Sequence, residues 1–265
     1  MTLLLSLAAS CTGIFEDRDS CPSRIYLDLE EDRGLDHRSH LSYVIQDVGG
    51  VEEASGEATL GELGVDYTVK VPKGHLYVFG SVGAESARIS SNLYIIPGGS
   101  DCGTIYHFLS EADAYGETCR IPVSLNKEFS TLEISFAPDD DSGANPYEIG
   151  IRSNWCGMDL STGMPLRGLF HTFPEELFEG HFSCRVPRQG SRGLMLDIYV
   201  KESTGVFDHG LIDSIDLWKI IDSIEGFSWQ DESLQDISIV LDISRSQVTA
   251  TVGQWETVQS LTITI

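Results

Sequence analysis

The feature that most restricts this chain is its rhythm. Short runs rich in Val, Ile, Tyr and Thr recur along it, each broken by Gly, Pro, Asp or Ser. Runs of that length and composition read as strands, in which alternate side chains share a face. Residues 24–29 place Ile25, Leu27 and Leu29 on one side, and residues 131–136 do the same with Leu132, Ile134 and Phe136. Comparable runs fall at 41–48, 67–71, 76–82, 93–96, 104–109, 121–125, 147–152, 169–173, 182–186, 194–201, 237–243, 248–252 and 261–265. No helical segments alternate with them to supply crossovers, so an all-β chain of sandwiches is expected rather than a parallel sheet. Val71-Pro72-Lys73-Gly74 reads as a hairpin connection between two of these runs. One stretch breaks the rhythm. At 211–225 the apolar residues Leu211, Ile215, Trp218, Ile221 and Ile224 recur at steps of three or four, and Gly226 stands where a helix would stop. A single amphipathic helix is expected there.

The 265 residues suffice for two sandwich-sized units. A fresh series of strands begins near Arg120, which places one unit at 22–120 and the second at 121–265. The glycine-rich run Pro97-Gly98-Gly99-Ser100-Asp101-Cys102-Gly103 reads as a flexible loop, because no phosphate-binding helix sequence follows it.

Charge is the outlying number. The chain has 41 acidic residues against 17 basic ones, a formal net charge of −24. A surface that negative repels phosphate backbones, so no nucleic-acid partner is expected. Nor does it offer a polybasic patch to anionic lipid, so any membrane attachment must come from another device.

The N-terminus supplies such a device. Residues 3–9 form a short apolar run, and the small residues Ala8, Ala9 and Ser10 lead directly into Cys11. The run is too short to span a bilayer, which takes about 20 apolar residues. It reads as a signal peptide over 1–10, cut so that Cys11 becomes an acylated N-terminus on a tether running to residue 21. The preferred Leu stands one place early, at Leu7, and no Lys or Arg precedes Arg18, as though the start codon were set too late. Several acyl chains, each buried CH₂ contributing about 0.8 kcal/mol, would hold the chain on a membrane.

An exported chain meets an oxidising compartment. Beyond Cys11 and Cys21, the cysteines nearest in sequence are Cys102 with Cys119 and Cys156 with Cys184, and these are disulfide candidates. No cysteine pair has metal-site spacing. Asp139, Asp140 and Asp141 form the one carboxylate cluster with oxygen ligands for Ca²⁺, although it lacks the spaced pattern of a calcium loop and is equally an ordinary turn. His37 and His40 read as solvated loop residues. No nucleophile elbow, phosphate loop or dinucleotide fingerprint occurs, so neither a cofactor nor an enzymatic activity is expected.

Several segments together resemble a known family. They are Cys11 followed by an early acidic patch and Asp19-Ser20-Cys21-Pro22, then Y-T-V-K-V-P-K-G-H-L-Y-V-F-G at 67–80. L-N-K-E-F-S-T-L-E-I-S-F at 125–136 follows, then Phe227-Ser228-Trp229, L-Q-D-I-S-I-V-L-D-I at 234–243, and Gly253-Gln254-Trp255. In this order they resemble the FimB-type fimbrial anchor lipoproteins, the fimbrillin-A-associated anchors of type V fimbriae. The resemblance implies two transthyretin-like β-sandwich domains. It also implies a non-enzymatic lipoprotein at the fimbrial base, facing the cell surface, which ties the shaft to the outer membrane and helps set its length. Such a contact would be β-augmentation, in which an open sheet edge pairs with an extended strand of the first shaft subunit. Leu261, Ile263 and Ile265, alternating up to the last residue, are candidates for that exchange. The alternative is a surface glycan-binding lipoprotein, in which Trp155, Trp218, Trp229 or Trp255 would stack on sugar rings.

Overall fold

The computed structural model describes residues 21–30, 33–63, 67–83, 88–90, 92–137, 145–201, 210–243 and 245–260. In chain order the strands are β1 (Ser23–Leu29), β2 (His40–Asp47), β3 (Glu52–Thr59), β4 (Thr68–Val71), β5 (His75–Gly83), β6 (Arg88–Ser90) and β7 (Leu93–Ile95). Then come β8 (Ile105–Asp113), β9 (Thr118–Val123), β10 (Asn126–Lys127), β11 (Phe129–Phe136), β12 (Tyr147–Asp159), β13 (Met164–Thr172) and β14 (Glu176–Phe178). The last are β15 (His181–Pro187), β16 (Met195–Val200), β17 (Leu211–Asp216), β18 (Ile237–Asp242), β19 (Gln247–Val252) and β20 (Trp255–Ser260). Between β17 and β18 lies one helix turn, α1 (Leu217–Ile221). The chain is all-β, as its rhythm predicts.

The first sandwich packs a sheet in the order β4-β1-β9 against a sheet in the order β10-β8-β5-β2-β3. Its core is made by alternation: Ile25 and Leu27 from β1, Leu41, Tyr43 and Ile45 from β2, and Ile121 and Val123 from β9 are all buried. Side chains one residue along face out, which fixes the register, since a slip by one would expose the whole set. The predicted hairpin at Val71-Pro72-Lys73-Gly74 is not one. β4 pairs with β1 and β5 pairs with β2, so the turn carries the chain from one sheet to the other.

The second sandwich packs a sheet in the order β14-β15-β11-β18-β19-β20 against one in the order β17-β16-β12-β7-β6, with β13 also paired to β12. Its core holds Leu132, Ile134, Phe170, Ile239 and the stacked rings of Trp218 and Trp229. The predicted 211–225 helix is half strand. Residues 211–216 pair with β16, and only five residues after them are helical, started by Asp216, whose Oδ1 accepts from Lys219 N at 3.0 Å. Residues four apart share a face in a strand as well as in a helix, so Leu211 and Ile215 could not tell the two apart.

The two sandwiches are interleaved. Hairpin β6–β7 lies in the first half of the chain yet pairs with β12, Ile95 facing Gly157 and Leu93 facing Asp159. Phe79, Tyr94, Ile96, Cys102 and Ile105 join the second core. In return β9 and β10, which start beyond or straddle residue 120, pair with β1 and β8 of the first sandwich. The chain passes between the two bodies at Glu128. This residue is buried, and its carboxylate accepts from Arg188 Nε. The same guanidinium donates to the carbonyls of Trp229 (2.6 Å), Asp231 (2.7 Å) and Glu232 (3.2 Å). His107 stands 3.8 Å from Glu128 and bonds the Leu160 carbonyl through Nε2 at 2.6 Å. Burial, against the pull of Arg188, raises the Glu128 carboxyl above its ordinary value, and burial lowers that of His107.

Candidate functional site

Several predicted site residues lie outside the described residues: Cys11 with the signal peptide and tether, the cluster Asp139, Asp140 and Asp141, and the strand-exchange candidates Leu261, Ile263 and Ile265. Those candidates follow directly on β20, which forms the outer edge of its sheet and pairs with β19 from Val252↔Trp255 to Gln247↔Ser260.

The cysteines are placed, and neither candidate pair is joined. Cys21, Cys102, Cys119, Cys156 and Cys184 are all thiols. Cys102 belongs to the second core and Cys119 packs at the rim of the first, while Cys156 and Cys184 stand on opposite sheets of the second sandwich. Burial pushes the Cys102 thiol up to about 12, so it is protonated and inert at neutral pH. The described tryptophans make no sugar platform either, since Trp155, Trp218 and Trp229 are buried. Among the described residues no group of three or more His, Cys, Asp or Glu could hold a metal ion.

The geometry instead presents sheet edges. An edge strand shows a row of unpaired N–H and C=O groups, which invites another strand unless charge, Pro or a bulge blunts it. In the first sandwich the edge strand β3, E-E-A-S-G-E-A-T, is blunted by Glu52, Glu53 and Glu57. In the second, β13 is the contrasting case. One side pairs with β12, Ile151↔Thr172 through Asp159↔Met164. On the other, among the described residues, the backbone contact is Gly99 N donating to His171 O at 3.0 Å. Residues 164–173, M-P-L-R-G-L-F-H-T-F, hold no acid at all in a chain of net charge −24. Met164 and Leu169 on β13, Phe173 just after it, and Leu177 and Phe178 on the edge strand β14 of the other sheet are each 59–69% exposed. Pro165 and the register shifts of β12 beside Trp155 protect the Met164 end. The first of these shifts falls at Gly168 and Leu169 of β13 itself, so the stretch with neither device is Phe170 to Phe173.

This edge is held rigidly. Phe173 and Tyr199 converge over Gly150, where a Cβ would stand 3.1 Å from the Phe173 ring and 3.2 Å from the Tyr199 ring. Beside them Arg152 Nε donates to Asp197 Oδ2 at 2.7 Å. The glycine-rich run at 97–103, expected to be a free loop, is a strap. Asp101 Oδ1 accepts from Arg185 N (2.8 Å), Asp101 Oδ2 from Arg185 Nε (3.1 Å), and Cys102 N donates to Arg185 O (3.3 Å). Together with the Gly99–His171 bond, the strap links β13 of one sheet to β15 of the other. No single position in the sequence carries that signal, because each partner lies some 70 to 85 residues away.

No protein-family model matches the chain, and no curated protein matches it. Solved structures do. The fold is similar to that of a candidate polysaccharide-binding protein from Bacteroides thetaiotaomicron (TM-score 0.65, 14% identity, covering 90% of this chain and 98% of that one). It is similar to a candidate adhesin from Bacteroides ovatus (TM-score 0.62, 12% identity, 94% and 98%). A third likeness is to the fimbrial anchor protein Mfa2 from Porphyromonas gingivalis (TM-score 0.56, 12% identity, 89% and 99%). At these identities the likeness is one of fold, and it extends over nearly the whole of each chain.

Proposed function

We propose that this chain is a lipoprotein of the cell envelope that anchors a fimbrium to the outer membrane. The observation that carries this reading is that a fimbrial anchor's whole fold is matched by nearly the whole of this chain, both sandwiches included. In this reading Cys11 carries the lipid, palmitate among its acyl chains, and the body faces the cell surface at the base of the shaft. The shaft's first subunit is held without covalent bonds by strand pairing, and the anchor helps set fimbrial length. The acid-free edge β13 supports such a contact, as does the sheet edge β20, which Leu261, Ile263 and Ile265 follow in sequence. The role asks for no chemistry, and the neighbours in fold are fimbrial and adhesive proteins rather than enzymes.

The test compares wild type with Cys11→Ala in the fimbriated host, counting fimbriae on cells and in the medium while following the protein in the membrane fraction. The anchor reading expects the variant to leave the membrane and fimbriae to be shed. Loss of the protein from the membrane with fimbriae unchanged would sink it.

A further inference from the structure

A polar cleft opens on the first sandwich. It has a volume of about 650 Å³, within the span of roughly 300–1,000 Å³ usual for ligand sites. Its floor is the row Glu57, Ser42 and Ser81, directly opposed across β3, β2 and β5. One wall is the loop at 35–39 and the other the start of β8, with Thr104 and Tyr106.

The walls are built rather than draped. Asp36 Oδ1 accepts from Arg38 N at 2.9 Å and the Asp36 carbonyl from Ser39 N at 2.8 Å, which folds the loop on itself. Gly61 N then donates to His37 O at 2.9 Å, and Leu60 N to Ser39 O at 3.0 Å, pinning the loop to the turn after β3. At the far end Gly83 has φ +92°, and a Cβ there would stand 1.7 Å from Thr104 O, so only glycine lets β5 and β8 close the cleft. The Tyr106 ring is held edge-on against Phe129 at 5.8 Å, which fixes its orientation on the cleft wall.

The lining chemistry selects the ligand. Hydroxyls of Ser42, Ser81, Thr104 and Tyr106 stand among Asp36 and Glu57 as acceptors and Arg38 and His40 as donors. Two acids against one Arg and one His is close to balance, in a molecule with more than twice as many acids as bases. An anion would meet Asp36 and Glu57, a cation would meet Arg38 (itself paired with Asp36 at 3.4 Å), and an apolar ligand would cover a row of polar groups in which Ser42 donates to Glu57 at 3.4 Å. A neutral, polyhydroxylated ligand satisfies all of them, with Tyr106 offering a ring to a sugar's C–H face. We infer that this cleft binds a short neutral oligosaccharide, so that the protein grips a glycan with its first sandwich independently of any contact through its second.

The experiment applies detergent-solubilised full chain to an array carrying neutral oligosaccharides of two to four rings, some cut from the producing cell's own surface polysaccharide and some of host type. Sialylated and sulfated counterparts of each are included. Binding to neutral members is expected, and whichever set gives the signal identifies the source. Arg38→Ala and Glu57→Gln, both at exposed positions, should each reduce that signal about tenfold with no change in melting. Glu52→Gln, on the same edge strand and outside the cleft, should leave it intact. No binding to any neutral member, a preference for the acidic ones, or full binding by both cleft variants would each overturn the inference. Because no arm depends on fimbriae or on Cys11, failure here would leave the anchor reading standing, and the reverse also holds.

Discussion

The two sandwiches have similar architecture and unequal independence. The first draws its buried residues from strands that pair only with one another, and its charged edge β3 keeps other chains away. The second is completed from outside: hairpin β6–β7 extends one of its sheets, the strap at 97–103 ties its two sheets together, and five core side chains arrive from residues 79–105. A domain is usually expected to own its core. Here the second body borrows part of its own, so its stability depends on segments that precede it in the chain.

The largest test of that asymmetry is to cut it. Residues 128–265 expressed alone should show no cooperative thermal transition by circular dichroism. Residues 21–127, with 88–103 replaced by a short Gly-Ser linker, should keep one. A cooperative melt from the isolated second half would end the claim that it is incomplete. Next in size is Arg188→Ala, which leaves Glu128 buried beside an empty space and frees three carbonyls. The expected cost is about 3–5 kcal/mol by urea denaturation. In Arg188→Met with Glu128→Leu much of that loss should return, since removing both charges removes the desolvation cost.

A subtler break is Gly157→Ala. A Cβ there would stand 1.9 Å from Tyr94 O, so β7 could no longer dock on β12. Overpacking of this kind costs about 1–3 kcal/mol. Hydrogen exchange should rise in β7 and β12 while β1 and β2 stay protected, and equal loosening of both bodies would contradict the interleaved arrangement. Smaller still is the pH effect at the seam. Burial holds His107 below its ordinary value, so the unfolded chain takes up the proton first and stability falls as pH drops through the imidazole range. Glu128, raised by burial, binds its proton more readily when folded and opposes that loss. His107→Gln should therefore flatten the decline in melting temperature between pH 7 and 5. An unchanged slope would place the proton uptake elsewhere. Smallest of all, Leu169→Ser on the exposed edge should shift stability by less than about 0.5 kcal/mol. It should nonetheless reduce retention of purified shaft subunit if β13 makes that contact.

Much of the fold was legible because alternation is local. Ile25 and Leu27, or Leu132 and Ile134, declare their strand and its buried face within six residues. β3 escaped notice because its inward-facing residues are small: Ala54, Gly56 and Ala58 alternate with Ser and Glu, leaving no hydrophobic beat to read. The 211–225 stretch misled because a four-residue step fits both a strand and a helix. The interleaving was illegible for another reason. Asp101 and Arg185 are 84 residues apart, and nothing around either one marks the other as its partner. The same holds for the cleft, where His40, read as an ordinary loop residue, becomes part of a lining only once β2, β3, β5 and β8 lie side by side.

The inserted hairpin also matters for tension. Under the proposed role the membrane pulls on the N-terminal end while the shaft pulls on the second body. A tandem pair joined by one linker would pass all of that load through a single stretch of backbone. Here it divides among several routes, including the crossing at Glu128, the β7–β12 ladder, the His107–Leu160 bond, the Lys127–Asp236 pair and the strap gripping Arg185. These links act side by side, so the load on any one of them is a share of the whole. A joint built this way would give at its lipid or at its grip on the shaft before it gave at its waist.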